Sequence, residues 1–197
     1  MIKFKQFFEQ NIVSPPGDTT ALLPGGFKPP TKGHVGVLEE LLSGASNGVV
    51  FVGKGDRDGI TQDMSAQIWE IYAPYISKPI KVVKSPISPV KSVYDYIEER
   101  PTTSFIVGAG APGRGNAPEG KKLARDIDRY ASIQKNKEKY PYVIVKEVAI
   151  QGDGISGTEA RRKIMNGDSD AVDYFAIDGL SESDKERIKA ILNMNNK

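Results

Sequence analysis

Two short strings hold residue types suited to phosphate chemistry. The first runs Gly25-Gly26-Phe27-Lys28-Pro29-Pro30-Thr31-Lys32-Gly33-His34. It lies between an apolar segment that reads as a strand and an amphipathic segment that reads as a helix. A strand, a glycine turn and a helix N-terminus make an anion site, because unpaired N–H groups and the positive end of the helix dipole face the same way. Thr31 is the expected N-cap. Gly33 lets the chain pass close to a phosphate, and His34 falls in the first helical turn. Beside a polyphosphate its charged form is expected, donating to a phosphoryl oxygen. Lys28, directly after the Gly-Gly-Phe turn, is the better catalytic or acceptor-contacting lysine, whereas Lys32 is expected in solvent. The second string, Gly154-Ile155-Ser156-Gly157-Thr158-Glu159-Ala160-Arg161-Arg162, opens another helix. Ser156 and Glu159 have the spacing of a capping box. Thr158 and Arg161 lie three apart on one face, with a guanidinium suited to bidentate phosphate contact. Lys54 and Arg57 are weaker acceptor-phosphate candidates, and Arg114 lies in a glycine-rich loop that could close over substrates.

The elements that must position these strings alternate regularly. Strands are expected at Thr19–Gly25, Gly48–Gly53, Ile80–Val83, Ser104–Gly108 and Tyr142–Ile150. Helices are expected at Gly33–Leu42, Asp63–Ile76, Pro89–Arg100, Ser156–Asn166 and Glu182–Asn193. Trp69 and the tyrosines of the second helix are read as core. Strands separated by helices of this length pair in parallel, so the fold class is α/β: a doubly wound, five-stranded, parallel, Rossmann-like sheet with helices on both faces. Ligands in such sheets sit beyond the carboxyl ends of the strands, at the switch point. Gly25, Gly26 and Gly108 end two of these strands there. The domain division is 1–18 as an N-terminal helix and linker, with Phe4, Phe7 and Phe8 on the helix, 19–166 as the catalytic domain, and 167–197 as a helical extension.

Composition removes many alternatives. Among 197 residues there is no cysteine and one histidine, so thiolate sites, disulfides and multi-histidine metal centres are excluded. Lys plus Arg is 27 against 25 for Asp plus Glu, a net charge of +2 that argues against a nucleic-acid binder with a concentrated basic face. No apolar run reaches the ~20 residues of a membrane span, and a cytoplasmic location is expected. Gly108 to Gly113 satisfies G-x-G-x-x-G, but after the fourth strand rather than the first, with a proline inside and no helix opening at once. Gly115 to Lys121 begins like a P-loop, but Lys122 stands where a Ser or Thr is required. No Gly-x-Ser-x-Gly elbow accompanies His34.

Together, G-x-F-x-P-x-T-x-G-H (from Gly25) and I-S-x-T-x-x-R (Ile155 to Arg161) resemble the nucleotidyltransferase superfamily. That superfamily includes cytidylyltransferases and nicotinamide mononucleotide adenylyltransferases. The resemblance spans about residues 19–166. The Pro-Pro-Thr-x-Gly-His form looks most like proteins of large tailed phages, which would place the chain in the host cytoplasm. The Ser-Gly-Thr-Glu-x-Arg-Arg form looks like archaeal nicotinamide mononucleotide adenylyltransferases. The family often has histidine where this chain has Thr31, which weakens or replaces one transition-state contact.

The resemblance implies transfer of a nucleoside monophosphate, AMP slightly favoured over CMP, from a nucleoside triphosphate to a phosphate-monoester acceptor, with release of pyrophosphate. His34 and Thr31 would contact the α- and β-phosphates. Ser156 and Thr158 would hold the β- and γ-phosphates, with Arg161 adding charge. Gly25, Gly26, Phe27, Gly33, Gly108 and Ile155 would form the nucleotide cradle. Magnesium would arrive on the triphosphate, without a dedicated protein site. The alternative is a non-catalytic nucleotide-binding or virion-associated descendant of the same fold. A homo-oligomer, or a partner docked on the N-terminal helix, completes the expected partners.

Overall fold

The computed structural model describes residues 17–110, 126–149 and 157–194. Five strands form one sheet: β1 (Thr19–Gly25), β2 (Asn47–Val52), β3 (Ile80–Lys84), β4 (Ser104–Gly110) and β5 (Val143–Val148). Their order is β3-β2-β1-β4-β5, and every neighbouring pair is parallel. The chain leaves β1 toward β2 on one side and later returns to β4 on the other, so the switch point lies between β1 and β4.

Burial on both faces explains why β1 and β2 read as continuous apolar runs rather than alternating ones. Ala21, Leu23, Val50 and Val52 face one core, shared with α1 (Lys32–Leu42), α2 (Gln62–Tyr72), α5 (Gly157–Asn166) and α6 (Glu182–Ile191). Leu22, Val49, Phe51, Phe105 and Val107 face the other, covered by α3 (Pro89–Glu98) and α4 (Ala131–Lys135). The segment after residue 167 belongs to the first core. Phe175, Leu180, Ile188 and Leu192 are buried there, and the Tyr72 hydroxyl donates to the Phe175 carbonyl at 3.0 Å. Trp69 and Tyr72 are fully buried, as expected.

Several boundaries differ from those expected. The second helix stops at Tyr72 and tightens into a 3-10 turn over Ala73–Tyr75, where Pro74 cannot continue the ladder. β4 runs two residues past Gly108 to Gly110, paired with β5 up to Val148. The 3-10 turn Asp126–Tyr130 and α4 were not expected; each is only 5 residues, too short to show a period. No described helix is long and apolar enough to cross a membrane.

Candidate functional site

The carboxyl ends of β1 and β2 are welded together first. Gly53 N–H donates to the Gly25 carbonyl at 2.8 Å. At Gly25 a Cβ would come within 2.5 Å of the Phe27 ring, so only glycine lets that ring fold back beneath the strand end. Phe27 itself sits at φ 48, a region bulky residues seldom adopt, and its ring packs edge-on against Trp69 and His34 at 5.3 and 5.1 Å. A Cβ at Gly26 would meet nothing within 4 Å.

Lys28 follows, buried to 6% exposure. Its Nζ donates to the Gly26 and Gly53 carbonyls at 3.0 and 2.9 Å. An ammonium has three N–H donors, so the two carbonyls leave one for a ligand. Burial, then the nearby Arg57 charge, lowers its pKa from 10.5 to about 8, against a smaller opposing pull from Asp56.

Thr31 caps α1, as expected, and its polar atoms are turned to His34. It is 1% exposed, and both its N–H and its Oγ1 meet His34 Nδ1, at 3.0 and 2.9 Å. A backbone N–H can only donate, so Nδ1 presents its lone pair and the ring proton is assigned to Nε2. Thr31 therefore orients an imidazole whose Nε2–H is the donor. A charged imidazolium, expected beside a polyphosphate, would have to give up the Thr31 N–H bond.

The second string reaches the first through Arg161. Its Nη1 donates to the Lys28 carbonyl at 2.6 Å and to Gly157 O at 2.9 Å, its Nη2 to Thr158 Oγ1 at 3.2 Å, and its Nε to Asp58 Oδ2 at 2.6 Å. Arg161 is 9% exposed, whereas Thr158 is exposed. The guanidinium expected to reach for phosphate is here a strut joining α5 to the β1–α1 loop. A Cβ on Gly157 would lie 3.5 Å from that same Lys28 carbonyl. The start of α5 thus meets the loop that leads into α1. Ile155 and Ser156, with Arg114 and the three phenylalanines Phe4, Phe7 and Phe8, lie outside the described residues.

Beyond the strand ends opens a cleft of about 250 Å³ at the switch point, lined by Gly25, Gly26, Gly53, Lys54, Arg57, the start of α3, residues 108 to 110, and Asp126, Arg129 and Tyr130. Three cations face one carboxylate, and Arg129 is paired with that Asp126 at 3.3 Å. Lys54 and Arg57 were named from the sequence; Arg129 and Tyr130 were not, because their short turn carries no periodic signal. Gly108 lines this cleft, but its side chain is excluded for a packing reason. A Cβ there would approach Leu41 Cδ1 to 2.6 Å. Lys32 is half-buried rather than in solvent.

Asp58 was also missed. It belongs to a two-residue turn in which Arg57 pairs with Ile60, with Asp58 at φ 54 and Gly59 at φ 78. An Asp-Gly dipeptide is the sequence signal for such a turn, but nothing local says which arginine its carboxylate meets.

No family model and no curated protein matches the chain. Solved structures do. Plasmodium falciparum nicotinic acid mononucleotide adenylyltransferase complexed with APC aligns over 91% of this chain and 100% of its own, with 17% identity and a TM-score of 0.55. The same enzyme complexed with NaAD aligns over 88% and 97%, with 18% identity and a TM-score of 0.50. What is shared is the fold. At this identity the residues of the site must be argued from their own geometry.

Proposed function

We propose that the chain is a nucleotidyltransferase that moves a nucleoside monophosphate from a triphosphate to a phosphate-bearing acceptor. The observation that carries this reading is the 2.6 Å bond from Arg161 to the Lys28 carbonyl, which brings the N-termini of two helices to one loop. The positive end of a helix dipole favours a bound anion. The triphosphate lies across the two N-termini, with Thr158 and Ser156 toward its β- and γ-phosphates. His34 Nε2–H and the Lys28 ammonium face the α-phosphoryl oxygens. The acceptor occupies the adjoining cleft, its phosphate near Lys54 and Arg57. A phosphate monoester is already ionised, so it needs no general base. Its oxygen bonds to the α-phosphorus, the bond to the bridging oxygen breaks, and pyrophosphate departs with the electron pair. Catalysis is then alignment plus electrostatic stabilisation of the charge on the transferring phosphoryl group. Magnesium carried on the triphosphate would neutralise charge on the departing pyrophosphate. Adenylyl transfer is slightly favoured over cytidylyl transfer by the Ser-Gly-Thr-Glu-x-Arg-Arg string.

A second reading is favoured by the engagement of Arg161 within the protein and by Thr31 in place of histidine: a nucleotide-binding protein without turnover. Pyrophosphate release from ATP and CTP, each with magnesium and a panel of phosphate monoesters, separates the two. Release that depends on one acceptor supports transfer. Triphosphate binding without release under any combination supports the second reading, and no binding removes both.

A further inference from the structure

The acceptor cleft holds a side chain that the transfer step leaves without a role. Tyr130 lines it, is 2% exposed, and its hydroxyl has no hydrogen-bond partner. Burial raises its pKa well above the ordinary phenol value, against a smaller pull from the Arg129 charge, so the hydroxyl keeps its proton and can donate. A buried donor without a partner costs free energy that a ligand group can restore. The ring is held from outside the cleft. Tyr94 of α3 stacks on it at 6.0 Å and 29°, and the Tyr94 hydroxyl donates to the Arg129 carbonyl at 3.2 Å.

The rest of the lining sets the size and character of what lies beside Tyr130. A volume of about 250 Å³ falls below the roughly 300–1,000 Å³ of clefts that take drug-sized ligands. Arg129 is held by Asp126, whereas Lys54 and Arg57 have no ion pair among the described residues and are left for the acceptor's phosphate. Beyond them the wall is glycine backbone, Ser88 and Tyr130, with Ile87 and Pro89 on one side. Among the described residues Tyr130 is the one aromatic group of that lining, and its ring is stacked on Tyr94. Segment 111–125, which joins the two walls in sequence, contains no Phe, Tyr, Trp or His. We propose that the acceptor is a short polyol phosphate, a phosphate monoester on a hydroxylated carbon chain, and that Tyr130 donates to one of its hydroxyls. This rests on the nucleotidyltransferase reading and names the acceptor for it. The free cations neutralise the phosphate, Ile87 and Pro89 lie against the carbon chain, and the hydroxyl completes the Tyr130 donor. Tyr130 thereby sets specificity, because an acceptor lacking that hydroxyl leaves the buried donor unpaired.

The test measures pyrophosphate release by the full chain from ATP or CTP with magnesium. The acceptors are glycerol 3-phosphate, ribitol 5-phosphate, propyl phosphate and nicotinamide mononucleotide. The better polyol phosphate should give a kcat/KM at least about tenfold above propyl phosphate, the worth of one hydrogen bond, and above nicotinamide mononucleotide by as much. Tyr130→Phe removes only an unpartnered hydroxyl, so its thermal midpoint should not fall. It should raise the KM for the polyol phosphate about tenfold, leave the KM for the triphosphate unchanged, and abolish the preference over propyl phosphate. A merely structural Tyr130 would not move that preference. Three results overturn the acceptor assignment and leave nucleotidyl transfer standing. In the first, nicotinamide mononucleotide or propyl phosphate matches or exceeds both polyol phosphates. In the second, the preference survives in Tyr130→Phe. In the third, that variant melts below wild type. Triphosphate binding without pyrophosphate release, whatever the acceptor, overturns the nucleotidyltransferase reading and the assignment with it.

Discussion

His34 is aimed by its neighbour Thr31. Thr31 donates its backbone N–H to Nδ1, which fixes both the ring's orientation and the proton on Nε2. Removing the imidazole by His34→Ala should reduce kcat by about 10²–10³, the usual loss for one preorganised donor at a developing charge. Thr31→Val keeps the backbone bond and loses only the Oγ1 contact, so a smaller loss, about tenfold, is expected. Steady-state kinetics on the two variants checks the order; an equal loss in both would make Thr31 a phosphate contact after all. Lys28 predicts a pH dependence. Its ammonium is lost as pH rises through about 8, so kcat/KM, which reports the free protein, should fall above that pH. The alkaline limb should disappear in Lys28→Gln, at a lower activity throughout. Stability runs the other way. The unfolded chain holds the Lys28 proton up to 10.5 and the folded chain only to about 8, so between those values the unfolded state binds more protons. Relative to Lys28→Met, ligand-free wild type should therefore gain stability across that window, measured by urea unfolding.

At the level of elements, packing decides which glycines matter and why. Gly108 was read from the sequence as a place where backbone meets ligand, and it does line the cleft. Its lack of a side chain is nonetheless dictated by Leu41 of α1 on the opposite face. Gly108→Val should destabilise the protein by about 1–3 kcal/mol through overpacking. Urea denaturation checks this, and a neutral result would return Gly108 to a purely ligand-facing role. The strands and the two motif helices were legible because both signals are local: apolar runs of strand length, and an N-cap residue at the head of an amphipathic stripe. The contacts that organise the site were not legible, because they join distant segments. Arg161 meets Asp58 across 103 positions and Lys28 across 133. Residue type alone made Arg161 a phosphate ligand, and only the tertiary contact shows that its charge already has a partner.

For the molecule as a whole, the two faces of the sheet have different roles. The core under α1, α2, α5 and α6 includes the 167–194 segment and anchors both motif helices from behind. The opposite core, under α3 and α4, carries the far wall of the cleft through Tyr130. A second cavity, about 230 Å³, lies at the other end of the strands, between Arg100, Thr103 and Tyr142. It sits where β4 and β5 begin, far along the sheet from both helix N-termini. A polyphosphate can therefore be assigned by position. The most direct measurement is a crystal structure of the chain with a non-hydrolysable nucleoside triphosphate. The expected result has α-phosphoryl oxygens at about 3 Å from His34 Nε2 and Lys28 Nζ, with the outer phosphates at the first turn of α5. A triphosphate seated in the cavity beside Arg100 and Tyr142, or bound away from the first turns of α1 and α5, would contradict it.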